Sequence, residues 1–191
     1  MEAVATKTVL NLGCGKENKV DVDRAFEGDS WTEVLVDADA GTKPDIVASA
    51  QDLTVFMNGS IHGVFSSHLL EHIPRKDLEK TLTEVLRVLV PGSWFYAVVP
   101  DLAIAAQEVL ADRHEDLLYD APAGPVTPLD LIYGMGKYAE GDLPLYMHRN
   151  GFTAKSLAKH LSKAGFEPVF TRRAAGQIFS KARKPEEEPT E

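Results

Sequence analysis

The chain holds a single cysteine, Cys14, in 191 residues. No intrachain disulfide can form, and a reducing compartment is the setting this predicts. No apolar run reaches the roughly 18 residues that a membrane-spanning helix needs. Met1-Glu2-Ala3-Val4 also lacks a basic stretch followed by a long apolar one, so a cytoplasmic protein without membrane insertion is expected. Basic charge is scarce as well: 20 Lys and Arg stand against 29 Asp and Glu, a net charge of -9. An acidic body repels a phosphate backbone, which argues against nucleic acid as a partner. Arg172, Arg173, Lys181, Arg183 and Lys184 are the one basic concentration, and a solvated surface accounts for it.

What is present points to one compact body. With 44% hydrophobic residues the chain can bury one core, so residues 1–184 read as a single domain. Glu186, Glu187, Glu188 and Glu191 sit in a P-E-E-E-P-T-E ending too polar to fold alone, and 185–191 is expected to be a disordered tail.

The most informative stretch is Val9 to Gly15, V-L-N-L-G-C-G, where an apolar strand runs into a glycine turn. Glycines at 13 and 15 allow backbone angles closed to other residues and let a ligand approach main-chain N–H groups. About 22 residues after Gly15, the run Val34-Leu35-Val36 ends at Asp37, close to the separation at which Rossmann-type folds place a carboxylate on ribose hydroxyls. Asp39 is the alternative if that strand ends later. A dinucleotide site needs a third glycine at a helix N-terminus. Here Lys16, Glu17 and Asn18 follow, then acidic Asp21 and Asp23, a pattern suited to a cationic ligand without phosphate, such as S-adenosylmethionine.

Apolar strands alternate with helical patterns as a parallel sheet requires. Strands are expected near 7–12, 34–37, 45–48, 63–67 and 94–99. Leu78, Leu82, Val85, Leu86 and Leu89 keep helical spacing after Pro74, with Pro91-Gly92 as the stop. Thr153 caps a second expected helix carrying Leu157, Leu161 and Ala164, ended by Gly165. Lys16 to Thr32 shows no apolar helical stripe. Arg113 to Asn150, broken by Pro122, Pro125, Pro128, Gly134, Gly136, Gly141 and Pro144, is too long for an ordinary connection and reads as a lid or binding element.

Taken in order, V-L-N-L-G-C-G, V-L-V-D-A-D, D-I-V-A-S-A-Q-D-L, S-S-H-L-L-E-H-I-P and L-R-V-L-V-P-G-S-W-F-Y-A-V-V-P-D-L resemble a class I S-adenosylmethionine-dependent methyltransferase from about Val9 to Leu102. The segment His148 to Phe166, H-R-N-G-F-T-A-K-S-L-A-K-H-L-S-K-A-G-F, is similar to the C-terminal part of small methyltransferases of this type, several associated with glycan or cell-envelope pathways. The resemblance implies a Rossmann-like α/β fold: a seven-stranded, mostly parallel sheet with an antiparallel closing strand and helices on both faces, residues 166–171 and 176–180 suiting the closing antiparallel pair. It implies S-adenosyl-L-methionine as cofactor, held by Asn11, Gly13, Cys14, Gly15, Asp37, Ala38, Ser49, Ala50, Gln51 and Ser66. It also implies a small-molecule or glycan acceptor under the 113–150 segment. Asn11, Ser49 and Gly63 depart from acidic residues common at those places. An inactive cofactor-binding subunit is therefore the alternative.

In methyl transfer the protein chiefly aligns the acceptor with the sulfonium methyl. Where the acceptor is protonated a base is needed, and His68 and His148 are the candidates, since imidazole titrates near neutral pH. His72 reads as structural, and no metal ligand set is assigned. His68-Leu69-Leu70-Glu71-His72 also matches H-x-x-E-H, the zinc helix of certain peptidases. A zinc hydrolase is thus a further alternative. Pro74, two residues after His72, leaves little room for that helix, and no stoichiometric zinc is expected.

Overall fold

The computed structural model describes residues 6–16, 31–121, 124–135 and 146–186. Among them the chain order is β1 (Lys7–Leu12), β2 (Trp31–Asp37), β3 (Ile46–Val47), β4 (Ile61–Ser67), α1 (Leu78–Val88), β5 (Leu89–Pro100) and α2 (Leu102–Leu110). There follow β6 (Tyr119–Ala121), β7 (Gly124–Val126), α3 (Pro128–Tyr133), α4 (Ala154–Lys163), β8 (Val169–Ala174) and β9 (Gln177–Arg183). Seven strands form one sheet in the order β3-β2-β1-β4-β5-β9-β8. β9 runs antiparallel to both neighbours, and the other pairings are parallel. This is the Rossmann-like sheet expected. The order turns back between β1 and β4, so a ligand crevice belongs at the carboxyl ends of those strands.

Side-chain alternation sorts the sheet into two faces. On one, Leu10, Leu12, Val64, Phe95, Ala97, Val99 and Ile178 meet Leu78, Leu82, Val85 and Val88 of α1 and Leu157 and Leu161 of α4. On the other, Val9 and Phe65 pack with Trp31, Trp94, Tyr96 and Val98, strand residues only among those described. The Lys181 ammonium lies 4.2 Å from the Trp94 ring centroid on this face.

The boundaries differ from expectation where pairing overrides local pattern. β2 begins at Trp31 because Trp31, Thr32 and Glu33 pair with Lys7, Thr8 and Val9. Glu33 interrupts the apolar run, but its carboxylate accepts from Asn11 Nδ2 at 2.9 Å. α1 starts at Leu78 rather than at Pro74, since Pro74 to Asp77 closes a separate turn through Asp77 N–H to Pro74 C=O. It stops before Pro91-Gly92: Leu89 is already extended and pairs with Ile61, so that dipeptide lies inside β5. β8 is displaced to Val169–Ala174, and β9 runs on to Arg183.

The described residues of the 113–150 segment share a small core with α2. Ala105 of α2, Val126 of β7 and Leu131 of α3 pack with Leu118 and Tyr119. Thr127 and Asp130 cap α3 reciprocally. The two ends of 136–145, which lie outside the described residues, meet at Gly134. A Cβ there would stand 2.5 Å from the Tyr146 carbonyl, and its φ of 94° already favours glycine. Most of the Lys16 to Thr32 stretch, residues 17–30, also lies outside the described residues, as do 187–191 of the expected tail. Glu186 is described and pairs with Arg183 at 2.5 Å.

Thr153 caps α4 as expected, its hydroxyl accepting from Ser156 N–H at 3.2 Å while the Ser156 hydroxyl accepts from Thr153 N–H at 2.9 Å. Thr153→Ala removes one side of this box and should lower unfolding free energy by about 1 kcal/mol in a urea titration with an unchanged slope.

Candidate active site

The glycine turn is pinned to the end of β2. Val36 C=O accepts from Gly13 N–H at 2.8 Å and from Cys14 N–H at 3.3 Å. The Asp37 carboxylate completes the clasp: Oδ2 accepts from Gly15 N–H and Oδ1 from Asp39 N–H, at 2.9 and 2.8 Å. An ionised carboxylate offers about four acceptor positions, so two remain for hydroxyls. Asp39 is committed elsewhere, its Oδ1 accepting from Gly41 N–H at 2.7 Å to cap the short 40–42 turn. Gly13 (φ 73°) is packed on the β4 side, where an added Cβ would meet Leu69 Cδ1 at 2.7 Å. Among the described residues nothing lies within 4 Å of a Cβ added at Gly15 (φ 64°). A bare, open backbone edge beside a half-buried carboxylate fits a ribose-bearing cation.

Asp37 also draws in β3. Its carbonyl accepts from Ala48 N–H at 3.0 Å, which brings the following Ser49, Ala50 and Gln51 to the edge where Ala38 lies exposed. Ser49 Oγ accepts from Gln51 N–H at 3.2 Å, and Ala50 is buried. Two candidates do not join this group by side chain. Asn11 is 2% exposed and sits beside Phe65 on the second sheet face, its amide turned to Glu33. Ser66 is 1% exposed and lies beside Ala97 on the helix-covered face, its hydroxyl without a partner. Strand alternation directs both away from the open edge.

His68 follows β4 directly, at φ 54°. Its Nδ1 donates to Glu71 Oε1 at 2.9 Å, and its Nε2 lies 3.1 Å from Gln177 Nε2 of β9. No helix spans His68 to His72, so the H-x-x-E-H peptidase arrangement is not formed. Glu71 is instead a junction with the H-R-N segment: its main-chain carbonyl accepts from Arg149 N–H at 2.7 Å and Asn150 N–H at 2.9 Å. His148 is thereby set against His72, ring centroids 4.9 Å apart and edge to face. Both histidine candidates thus belong to one cluster around Glu71. The H-x-x-E-H match had drawn Glu71 and His72 only into the zinc-hydrolase alternative, and the loop geometry that Pro74 suggested is the one observed.

Residues 10–97, from β1 into β5, match the family model described as a methyltransferase domain. Residues 10–97 thus carry a methyltransferase domain, on the fold of the class I S-adenosylmethionine-dependent methyltransferases. A search of curated sequences found no match. Among solved structures, a methyltransferase from Methanosarcina mazei aligns with a TM-score of 0.64 at 17% identity, over 97% of this chain and 95% of the other. A methyltransferase from Archaeoglobus fulgidus aligns at 0.60 and 14%, over 94% and 87%. The 1,6-didemethyltoxoflavin-N1-methyltransferase of Burkholderia thailandensis, solved with 1,6-didemethyltoxoflavin and S-adenosylhomocysteine, aligns at 0.58 and 16%, over 95% and 72%. The cofactor of the methyltransferase is S-adenosyl-L-methionine.

Charge is distributed unevenly around the methyltransferase's crevice. Burial would push the His68 imidazolium down, but the hydrogen bond and charge of Glu71 outweigh it and raise its pKa. Burial would push the Glu71 carboxyl up, and His68 foremost holds it down, so the buried carboxylate stays ionised. His72 is lowered, chiefly by burial. Burial and then the Asp37 charge raise the Cys14 thiol, making it a poor nucleophile that fits a packing role. Cys14 is the only cysteine, so alkylation reports it alone. Its rate against pH should give an apparent pKa above that of free cysteine, and Asp37→Asn should lower that value part of the way, leaving the burial contribution.

Proposed function

We propose that the methyltransferase moves the sulfonium methyl of S-adenosylmethionine to a small-molecule or glycan-type acceptor at the carboxyl edge of β1 and β4. The observation that carries this reading is the Asp37 clasp on the glycine turn, where among the described residues nothing crowds Gly15. In it, Gly13, Cys14 and Gly15 meet the amino-acid end of the cofactor, Asp37 takes the ribose hydroxyls, and Ser49 to Gln51 line the adenine end. The cofactor supplies the electrophilic methyl; the protein holds the acceptor in line with it and keeps water out.

The acceptor side is assigned to the Glu71 cluster and the 113–150 segment. His68 has a partner at each ring nitrogen and therefore positions Glu71. His148 Nδ1 donates to Leu131 C=O at 3.0 Å, which leaves Nε2 for the acceptor side. The Burkholderia neighbour's small heteroaromatic acceptor supports a small-molecule substrate class. A cytoplasmic setting fits the single cysteine, and among the described residues no helix is long and apolar enough to cross a membrane.

Calorimetry with S-adenosylhomocysteine should show binding by the wild type and a loss of about 1.5–3 kcal/mol in Asp37→Ala, the range for hydrogen bonds to a charged group. Unchanged affinity would move the ribose contact away from Asp37. Hydrogen exchange within 113–150 should slow when cofactor product and acceptor are bound together, as expected for a segment that closes over a site. Full protection in the free protein would make it scaffold.

A further inference from the structure

We propose that Glu71, His72 and His148 bind one divalent transition-metal ion, with Zn2+ the ion their donor set suits. Ligand atoms of the three residues lie within 4.8 Å of one another. His72 Nδ1 faces Met147 C=O at 3.2 Å, and His148 Nδ1 faces Leu131 C=O at 3.0 Å. A carbonyl only accepts, so each Nδ1 carries the hydrogen and each Nε2 keeps its lone pair. Metal-binding imidazoles are oriented in this way.

Glu71 supplies the independent observation. It is 1% exposed, and while His68 holds Oε1, Oε2 is buried with no hydrogen-bond partner. A buried, ionised oxygen left unpaired is costly, and buried groups of this kind are normally satisfied. A cation between Glu71 Oε2 and the two Nε2 atoms satisfies it. Two imidazoles and a carboxylate suit zinc and neighbouring first-row ions rather than calcium or magnesium, which take oxygen donors.

The ligand set differs from the H-x-x-E-H triple by exchanging His68 for His148. His68 is turned onto Glu71 and supports a ligand instead of being one. The fold supplies the third ligand through the Arg149 and Asn150 N–H bonds to the Glu71 carbonyl. Tetrahedral bonds of about 2.0–2.1 Å place ligand atoms about 3.3 Å apart, so binding draws the three side chains closer together. Three protein ligands leave a fourth position open to an oxygen. On the methyl-transfer reading, that oxygen is the acceptor's, because Leu69 next to this loop packs against Gly13.

The test is Zn2+ binding to full-length protein stripped with a chelator and then dialysed, read by elemental analysis and by titration. One Zn2+ per chain is expected, with affinity reduced tenfold or more in Glu71→Gln, His72→Ala and His148→Ala and unchanged in His160→Ala. Co2+ should give visible absorption of a four- or five-coordinate site, lost in the same three variants. Thermal melting of each metal-free variant establishes that it is folded. Absence of Zn2+ binding in folded wild type, or binding equal in wild type and the three variants, overturns the site and leaves water as the partner of Glu71 Oε2. Binding of S-adenosylhomocysteine is measured separately on the stripped protein. Its failure would sink the methyl-transfer reading without touching the cation site.

Discussion

The clasp between Asp37 and the glycine turn carries the structural argument. Main-chain N–H groups at a positive-φ turn cannot be left unsatisfied beside a buried strand, and here one carboxylate and one carbonyl take up Gly13, Cys14, Gly15 and Asp39 together. The same residue, through its own carbonyl, recruits the end of β3. The ends of β1, β2 and β3 are thus tied together beside the point where the sheet order reverses. These bonds are made within the protein, and among the described residues no side chain covers Gly15.

A second node, Glu71, joins the loop after β4 to the segment that follows α3. Its main chain accepts two N–H groups from Arg149 and Asn150, and its side chain is held by His68. Burying a carboxylate without partners would shift it toward the neutral form; here His68 keeps it charged. The two nodes touch through Leu69, whose side chain packs on Gly13. The proposed cofactor and acceptor sides are therefore adjacent, although Glu71 and Arg149 are far apart in the chain.

Much of the sheet was legible in the sequence because a fully buried parallel strand is a short apolar run, and β1, β4 and β5 contain such runs. The glycine turn and Asp37 were legible for a different reason: their separation reflects one crossover of fixed geometry. What could not be read locally depends on pairing. Glu33 in β2 is polar and broke the apolar pattern, yet its bond to Asn11 keeps it in register. Pro91 and Gly92 carry the signature of a helix stop, but Leu89 had already turned extended to pair with Ile61. At the site, Asn11 and Ser66 lie at the right strand ends with the wrong parity, so their side chains point into the two packed faces. His72 read as structural in the sequence, and only the fold sets His148 beside it.

The most direct measurement of the account is a crystal structure of the protein with S-adenosylhomocysteine. The account places the ligand in the β1/β4 crevice, its amino-acid end along Gly13 to Gly15 and its ribose hydroxyls on Asp37, with the sulfur directed toward the Glu71 and His148 side. A ligand bound elsewhere, or one whose ribose leaves Asp37 in its present bonds to Gly15 and Asp39 and contacts another residue, would contradict it.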